Sequence, residues 1–372
     1  MTGLDLRTRS AKRVLIYRLG TIGDTVVGLP ALNLVARAFP EAERRMLTSF
    51  PPMAKASAAS AVLEHTGLVH GYFRYHLRTR SFAELIKLWW SIARWRPQVL
   101  VDLSPASGIA DARRNSIFFR FCGVRRQIGV PLTEDMQKPR LLEWSRGENE
   151  NERYEYECSR LVRNISSLGT IDLDSPTNWD LNLTSAEHSR AALVLTPAGE
   201  RPIIAVSFGT KNQSNDWGQA RWRELLGRLT VLYPTHALAI CGAQVEASDA
   251  EHTISEWREK SAAPVMNLCG MLTPRESAAV FRRAVIALGH DSGPMHLAAA
   301  VQTPCVAVFS ARNPAGIWFP YGKAHQVIYH HVDCGKCGLE VCITEGKKCI
   351  YSITVDEVIG RIRAVLTDPN LK

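Results

Sequence analysis

Residues 14–24 read Val-Leu-Ile-Tyr-Arg-Leu-Gly-Thr-Ile-Gly-Asp, and an apolar run from Thr25 to Phe39 follows them. Four apolar residues, a glycine-bearing turn and a helix-like run make a strand, a tight turn and a helix, the opening of an alternating α/β layer fold. The two glycines, Gly20 and Gly23, stand three apart, which is not the G-x-G-x-x-G dinucleotide pattern, so a nicotinamide cofactor has weak support.

Outward from this point, strands are expected at 45–50 and 98–103, with a long helix around 82–96 between them. Charged, turn-rich sequence over 133–157 breaks the pattern, a helix is expected over 155–168, and residues 169–184 read as a linker. The alternation then restarts: strands at 203–208, 236–241, 265–268, 285–289 and 305–309, and helices at 219–232, 249–260, 274–284 and 295–301. Two capping boxes mark helix starts: Thr273-Pro274-Arg275-Glu276 opens the helix at 274–284, and Thr354-Val355-Asp356-Glu357 a final helix to about Leu366. The expected fold is α/β, with two doubly wound, Rossmann-like halves. An N-terminal domain covers 1–184, a second domain 185–353, and a C-terminal helix 354–372. Ligands of such sheets bind beyond the carboxyl ends of the strands, so a cleft between the halves is the expected site.

The 372 residues exceed what one core holds, and 46% hydrophobic composition excludes a disordered chain. No run of 18 apolar residues occurs, and the start, Met1 to Lys12, is polar and basic, so a cytosolic protein is expected. A formal charge of +9, from 45 Lys and Arg against 36 Asp and Glu, fits an anionic partner without choosing among nucleic acid, phosphorylated sugars and an acidic membrane face, and, being mild for this length, fits an ordinary solvated surface equally well. Of nine cysteines, Cys122, Cys158, Cys241, Cys269 and Cys305 are scattered and read as buried small hydrophobes. Cys334, Cys337, Cys342 and Cys349 crowd together and could make a tetrahedral zinc site, with His330 and His331 nearby, or a local thiol cluster.

Asp24 falls at the start of a helix, where it is either a cap for free amides or a general base aimed at an acceptor hydroxyl. The roles oppose each other, because a positive helix end stabilises the anion. His290-Asp291-Ser292-Gly293-Pro294-Met295-His296 runs from a strand into a small-residue helix and offers backbone amides, a hydroxyl and a glycine to an anion. Ser207-Phe208-Gly209-Thr210-Lys211 is a second phosphate cradle at a strand end, and Glu246 could accept ribose hydroxyls. Tyr72 to Arg80, followed by Lys87, Trp89, Trp90, Arg94, Trp95 and Arg96, interleaves cations with aromatics. That suits nucleic acid or an anionic amphiphile, or else a helix that buries its tryptophans and solvates its arginines.

Together these motifs resemble glycosyltransferase family 9, the ADP-heptose:lipopolysaccharide heptosyltransferases. The resemblance rests on Arg18-Leu-Gly-Thr-Ile-Gly-Asp24 with Pro30-Ala31-Leu32, on Trp217-x4-Trp222-x-Glu224-Leu225, on Asp291-Ser-Gly-Pro-Met-His296, on Trp318-x-Pro320-Tyr321-Gly322 and on the cysteine spacing. It implies a GT-B fold, with the acceptor on the N-terminal domain, and inverting transfer of heptose from ADP-heptose to the lipopolysaccharide inner core without a required cofactor or metal. It also implies Asp24 as base and donor contacts at Thr210, Glu246, Asp291, Ser292, Gly293 and His296, which join Ser207, Gly209 and Lys211. Acceptor contacts are then expected at Arg18, Gly23, Arg74, Arg78 and Arg80. Partners on this reading are a nucleotide sugar, a phosphorylated glycolipid and the cytoplasmic face of the inner membrane, with no nucleic acid.

Asn215 departs from the family, standing where a lysine is expected at the diphosphate. Its neutrality shifts that task to Lys211 or signals another donor or reduced activity. His290 and Ser310-Ala311-Arg312 also depart, standing where the family more often has an apolar residue and a Phe-Gly-Pro type turn. Competing expectations are a nucleotide-sugar epimerase or hydrolase, and a zinc-containing binder without enzymatic activity.

Overall fold

The computed structural model describes residues 10–49, 59–75, 81–145 and 151–367. The chain forms two compact units, Met1–Arg140 with Glu155–Asn182, and Leu141–Tyr154 with Leu183–Lys372.

In the first unit, strands β1 (Arg13–Tyr17), β2 (Glu43–Ser49), β3 (Gly71–Tyr75), β4 (Val99–Asp102) and β5 (Arg126–Ile128) form a sheet in the order β3-β2-β1-β4-β5. Every pairing is parallel. Strand β4 is buried at all four positions and β1 at all but its first, the continuous apolar reading of strands covered on both faces.

The helical run expected over 25–39 is two helices, α1 (Ile22–Val27) and α2 (Leu29–Ala38). The break falls just before Pro30, which has no N–H to continue the ladder and sits in the first turn of α2, and the junction residue Gly28 is pressed against Arg18, a Cβ there falling 2.9 Å from Nε. Helices α3 (Phe82–Trp95) and α4 (Ile109–Phe121) come later in the same unit. Helix α3 starts with the Ser81 hydroxyl accepting from Glu84 N–H and stops at Arg96, which takes a left-handed conformation. Leu15, Leu47, Phe73 and Leu100 of the sheet pack with Leu88, Ile92 and Trp95 of α3 and with Phe119 of α4. The structure corrects part of the basic-aromatic stretch: Tyr72, Phe73, Arg74 and Tyr75 form the edge strand β3, paired with β2, and not helix.

The second unit contains an antiparallel hairpin, β6 (Leu141–Ser145) and β7 (Asn151–Tyr154), drawn from the charged stretch that broke the sequence pattern. Its anchor is backbone packing: Tyr154 N–H donates to Ala315 O at 2.9 Å, and a Cβ on Gly316 would sit 2.2 Å from Tyr154 O. The main sheet comprises β8 (Ile203–Ser207), β9 (Ala237–Ile240), β10 (Val265–Asn267), β11 (Ile286–His290), β12 (Cys305–Phe309) and β13 (Gln326–Tyr329). Its order is β10-β9-β8-β11-β12-β13, all parallel.

The helices of this unit include α5 (Gln219–Leu232), α6 (Ala247–Lys260), α7 (Gly293–Ala300) and α8 (Val355–Thr367). Trp217, Trp222 and Trp257 are fully buried in the core, and Val358, Ile359 and Ile362 of α8 belong to the same cluster. Trp217 Nε1–H donates to Ile353 O at 2.9 Å, tying the approach to α8 into that core.

Candidate active site

In the first unit β1 has β2 on one side and β4 on the other, so the strand order reverses beside β1. Beyond the carboxyl end of β1, at this switch point, lies Asp24 in the first turn of α1. Its Oδ2 accepts Thr21 N–H at 2.7 Å and Thr21 Oγ–H at 2.9 Å, the acid half of a capping box. Gly20 makes this approach feasible: with φ of +143°, it would place a Cβ 2.5 Å from Asp24 Cγ. Both of these side-chain hydrogen bonds fall on Oδ2.

Arg18, expected at the acceptor, is instead buried, with 2% exposure; its Nε donates to Asp24 O at 2.7 Å while Nη1 reaches Leu103 O. Burial lowers its pKa, partly countered by Asp24. Arg18 therefore holds the α1 turn from inside. Gly23 is buried within α1 and Arg74 is exposed on β3, while Arg78 and Arg80 lie outside the described residues.

A group that sequence reasoning missed lies next to them. Asp102, buried at the end of β4, has its carboxyl pushed up to about 6 by burial, against a hydrogen bond of 2.9 Å from Ser104 N–H. Arg160 and Glu157 form a buried bidentate pair at 2.7 and 2.6 Å, and Arg160 also donates to Met136 O and Ser104 O. The available signal was an acid ending an apolar strand, with Glu157 and Arg160 three apart on a helix.

In the second unit the order reverses between β8 and β11, and the two donor candidates come directly after those two strands. Ser207 closes β8; its buried Oγ has no hydrogen-bond partner among the described residues. Glu246, from the turn after β9, is pressed against this loop: a Cβ on Gly209 would lie 2.1 Å from its Oε1, and Ala243 N–H donates to Oε2 at 2.8 Å. Thr210 Oγ–H donates to Asn212 O at 3.3 Å, and Lys211 is exposed.

Ser292, at the start of α7, is extended, and its hydroxyl donates to His290 O at 3.3 Å instead of capping the helix. The first turn, opened by Gly293 and Pro294, thus has no side-chain cap. His296 is buried on α7 and helps lower the His325 pKa, which burial brings to about 4.

The departures at 215 and 290 have structural explanations. Asn215 is a buried strut: its Nδ2 donates to Asp291 O at 3.3 Å and Oδ2 at 3.4 Å, and its Oδ1 accepts Ser310 Oγ–H at 2.6 Å. A buried cation does enter this region, since Lys347 Nζ donates to Asp216 O at 2.8 Å. His290 is completely buried; its Nε2 accepts Trp217 N–H at 3.0 Å and Trp222 Nε1–H at 3.1 Å, and its Nδ1 lies 3.0 Å from Phe208 O. Those partners assign the proton to Nδ1, and burial lowers the pKa to about 4, so this imidazole is a neutral brace.

Cys334, Cys337, Cys342 and Cys349 are free thiols, and Cys342 Sγ accepts Lys347 N–H at 3.3 Å. Among the described residues no group of three or more His, Cys, Asp or Glu is arranged to hold a metal ion, so of the two readings of these cysteines the zinc one finds no ligand set there. Cys122, Cys158, Cys241, Cys269 and Cys305 are buried.

The family model described as glycosyltransferase family 9 (heptosyltransferase) matches residues 141–348. A curated relative, lipopolysaccharide heptosyltransferase 1 of Pseudomonas aeruginosa, is 27% identical over 146 residues, which are 38% of this chain and 38% of that protein. The match thus spans well under half of the relative's length. Among solved structures, a glycosyl transferase family 9 protein from Veillonella parvula has a TM-score of 0.73 at 17% identity, covering 98% of this chain and 99% of that one. The Escherichia coli ADP-heptose lps heptosyltransferase II has a TM-score of 0.67 at 16% identity, covering 95% and 98%. At these identities the solved structures bear on the fold alone, that of GT-B proteins with two Rossmann-like domains.

Proposed function

The chain belongs to glycosyltransferase family 9, and from that premise we propose that it is an inverting transferase moving a heptose from ADP-heptose to a phosphorylated lipopolysaccharide-core acceptor, with Asp24 as base. The observation that carries the proposal is positional: in each unit the chemistry-bearing segments lie beyond the carboxyl ends of strands at the point where strand order reverses.

In the proposed reaction Asp24 takes the proton of the acceptor hydroxyl as its oxygen attacks the anomeric carbon. The carbon–oxygen bond to the diphosphate breaks on the opposite face, and ADP departs with the electron pair. The uncapped first turn of α7, with Ser292 and Gly293, offers amides and a positive helix end to that charge. Exposed Lys211 supplies the cation, as neutral Asn215 is committed to Asp291 and Ser310. The orphaned Ser207 hydroxyl suits a donor atom, and Glu246 with Gly209 and Thr210 suits ribose hydroxyls. His296 and Asp291 complete the donor side.

We assign no metal to the reaction, and full transfer activity in EDTA is the expected result; loss on chelation with recovery on added Mg2+ would contradict it. The acceptor's phosphates account for part of the basic excess, and Arg74, Arg78 and Arg80 are the residues assigned to them. No described helix is long and apolar enough to cross a membrane. On this reading the enzyme works at the cytoplasmic face of the inner membrane, where its acceptor lies, and nucleic acid is not its partner. The test of Asp24 is Asp24→Asn: normal folding with wild-type transfer would remove it from the mechanism, and ADP release without acceptor would favour a hydrolase.

A further inference from the structure

Helix α3 is amphipathic twice over. Leu88, Ile92 and Trp95 are buried against the sheet, while Phe82, Ile86, Trp89 and Trp90, at spacings of four, three and one, form an apolar stripe exposed to solvent. Exposures of 76% for Phe82 and 57% for Trp90 are large for such residues. The stripe continues onto α4, because Trp89 Nε1–H donates to Phe121 O at 2.9 Å. Phe121 is 75% exposed and Ile117, one turn earlier on the same face, 54%.

The charge around this stripe is mainly positive. Lys87 and Arg94 are exposed on α3, the Arg94 guanidinium 5.4 Å from the Trp90 ring centroid, and Arg113 and Arg120 are exposed on α4. Glu84 and Asp111 are the acids of the two helices, and Asp111 pairs with Arg114 at 2.8 Å. Aromatic and aliphatic side chains beside long cations match the boundary of an anionic bilayer, where rings lie at headgroup depth and cations meet lipid phosphates.

We propose that the α3–α4 face of the first unit docks on an anionic lipid bilayer. This rests on the reading of the acceptor as membrane glycolipid and adds to it a specific surface, built from residues that no step of the transfer uses. Apolar insertion and electrostatic attraction act together here, which gives two separable handles.

The full-length chain is tested by co-sedimentation with vesicles of phosphatidylcholine containing phosphatidylglycerol, against pure phosphatidylcholine. Binding to the anionic vesicles is expected, falling several-fold when salt is raised and several-fold in each of Trp90→Ser/Phe121→Ser and Lys87→Glu/Arg94→Glu. Transfer to a delipidated, water-soluble acceptor is expected to stay at the wild-type rate in both variants, which separates docking from chemistry. Wild-type protein left in the supernatant with anionic vesicles, or variants that pellet as well as wild type, would overturn the proposal. So would a wild-type dimer that Trp90→Ser/Phe121→Ser converts to monomer, because the face would then bind a second copy.

Discussion

One oxygen of Asp24 is held by Thr21, so the side chain proposed as the base also starts a helix. Asparagine preserves the acceptor oxygen for Thr21 and removes the base. Asp24→Asn should therefore stay folded, with a melting temperature slightly lowered by loss of the helix-end charge that also faces Arg18, while losing on the order of 10²–10⁴ in kcat, read by circular dichroism and transfer assay. His290 is the opposite case, a polar side chain with a wholly structural task. His290→Leu leaves Trp217 N–H, Trp222 Nε1–H and Phe208 O without their partner and should cost about 3 kcal/mol in urea unfolding. Its folded pKa of about 4 lies below the ordinary 6.5, so the unfolded chain takes up the proton first and stability falls as pH drops from 6.5 towards 4. Asp102 acts in the other direction: raised from 3.8 to about 6, it holds its proton in the folded state, and stability falls as pH rises through that window. Asp102→Asn should flatten that second slope in unfolding measured from pH 4 to 7.

Among the elements, glycines separate site from scaffold. Gly209→Ala would drive a Cβ to 2.1 Å from Glu246 Oε1, so the expected effect is a reduced donor-induced rise in melting temperature. Gly360, inside α8, has open space around it, and Gly360→Ala should stabilise by about 0.5–1 kcal/mol in the same unfolding assay. Strands such as β4, β8 and β12 were legible because burial on both faces demands unbroken apolar runs. Helix α4 escaped, since its buried residues are only Ala112 and Phe119 and arginines dominate its surface. Edge strand β3 escaped because Arg74 and three aromatics resemble a surface stretch until β2 is there to pair with. The capping role of Asp24 was visible from its place after two glycines. The burial of Arg18 was not, because one of its carbonyl partners, Leu103, lies 85 residues away.

For the whole molecule, the proposals divide the charge of +9 between two surfaces of different use. On the proposed reading the donor segments need few cations, because helix ends and glycine-exposed backbone would do much of the anion binding. Cations on α3 and α4 remain available to an anionic bilayer. The most direct measurement tracks ADP release from ADP-heptose with and without a lipopolysaccharide-core acceptor, for wild type and Asp24→Asn. The expected result is acceptor-dependent release by wild type, at least about 100-fold slower in the variant, with donor still raising the melting temperature of both. Release that ignores the acceptor, or an Asp24→Asn enzyme that transfers at the wild-type rate, would contradict the mechanism.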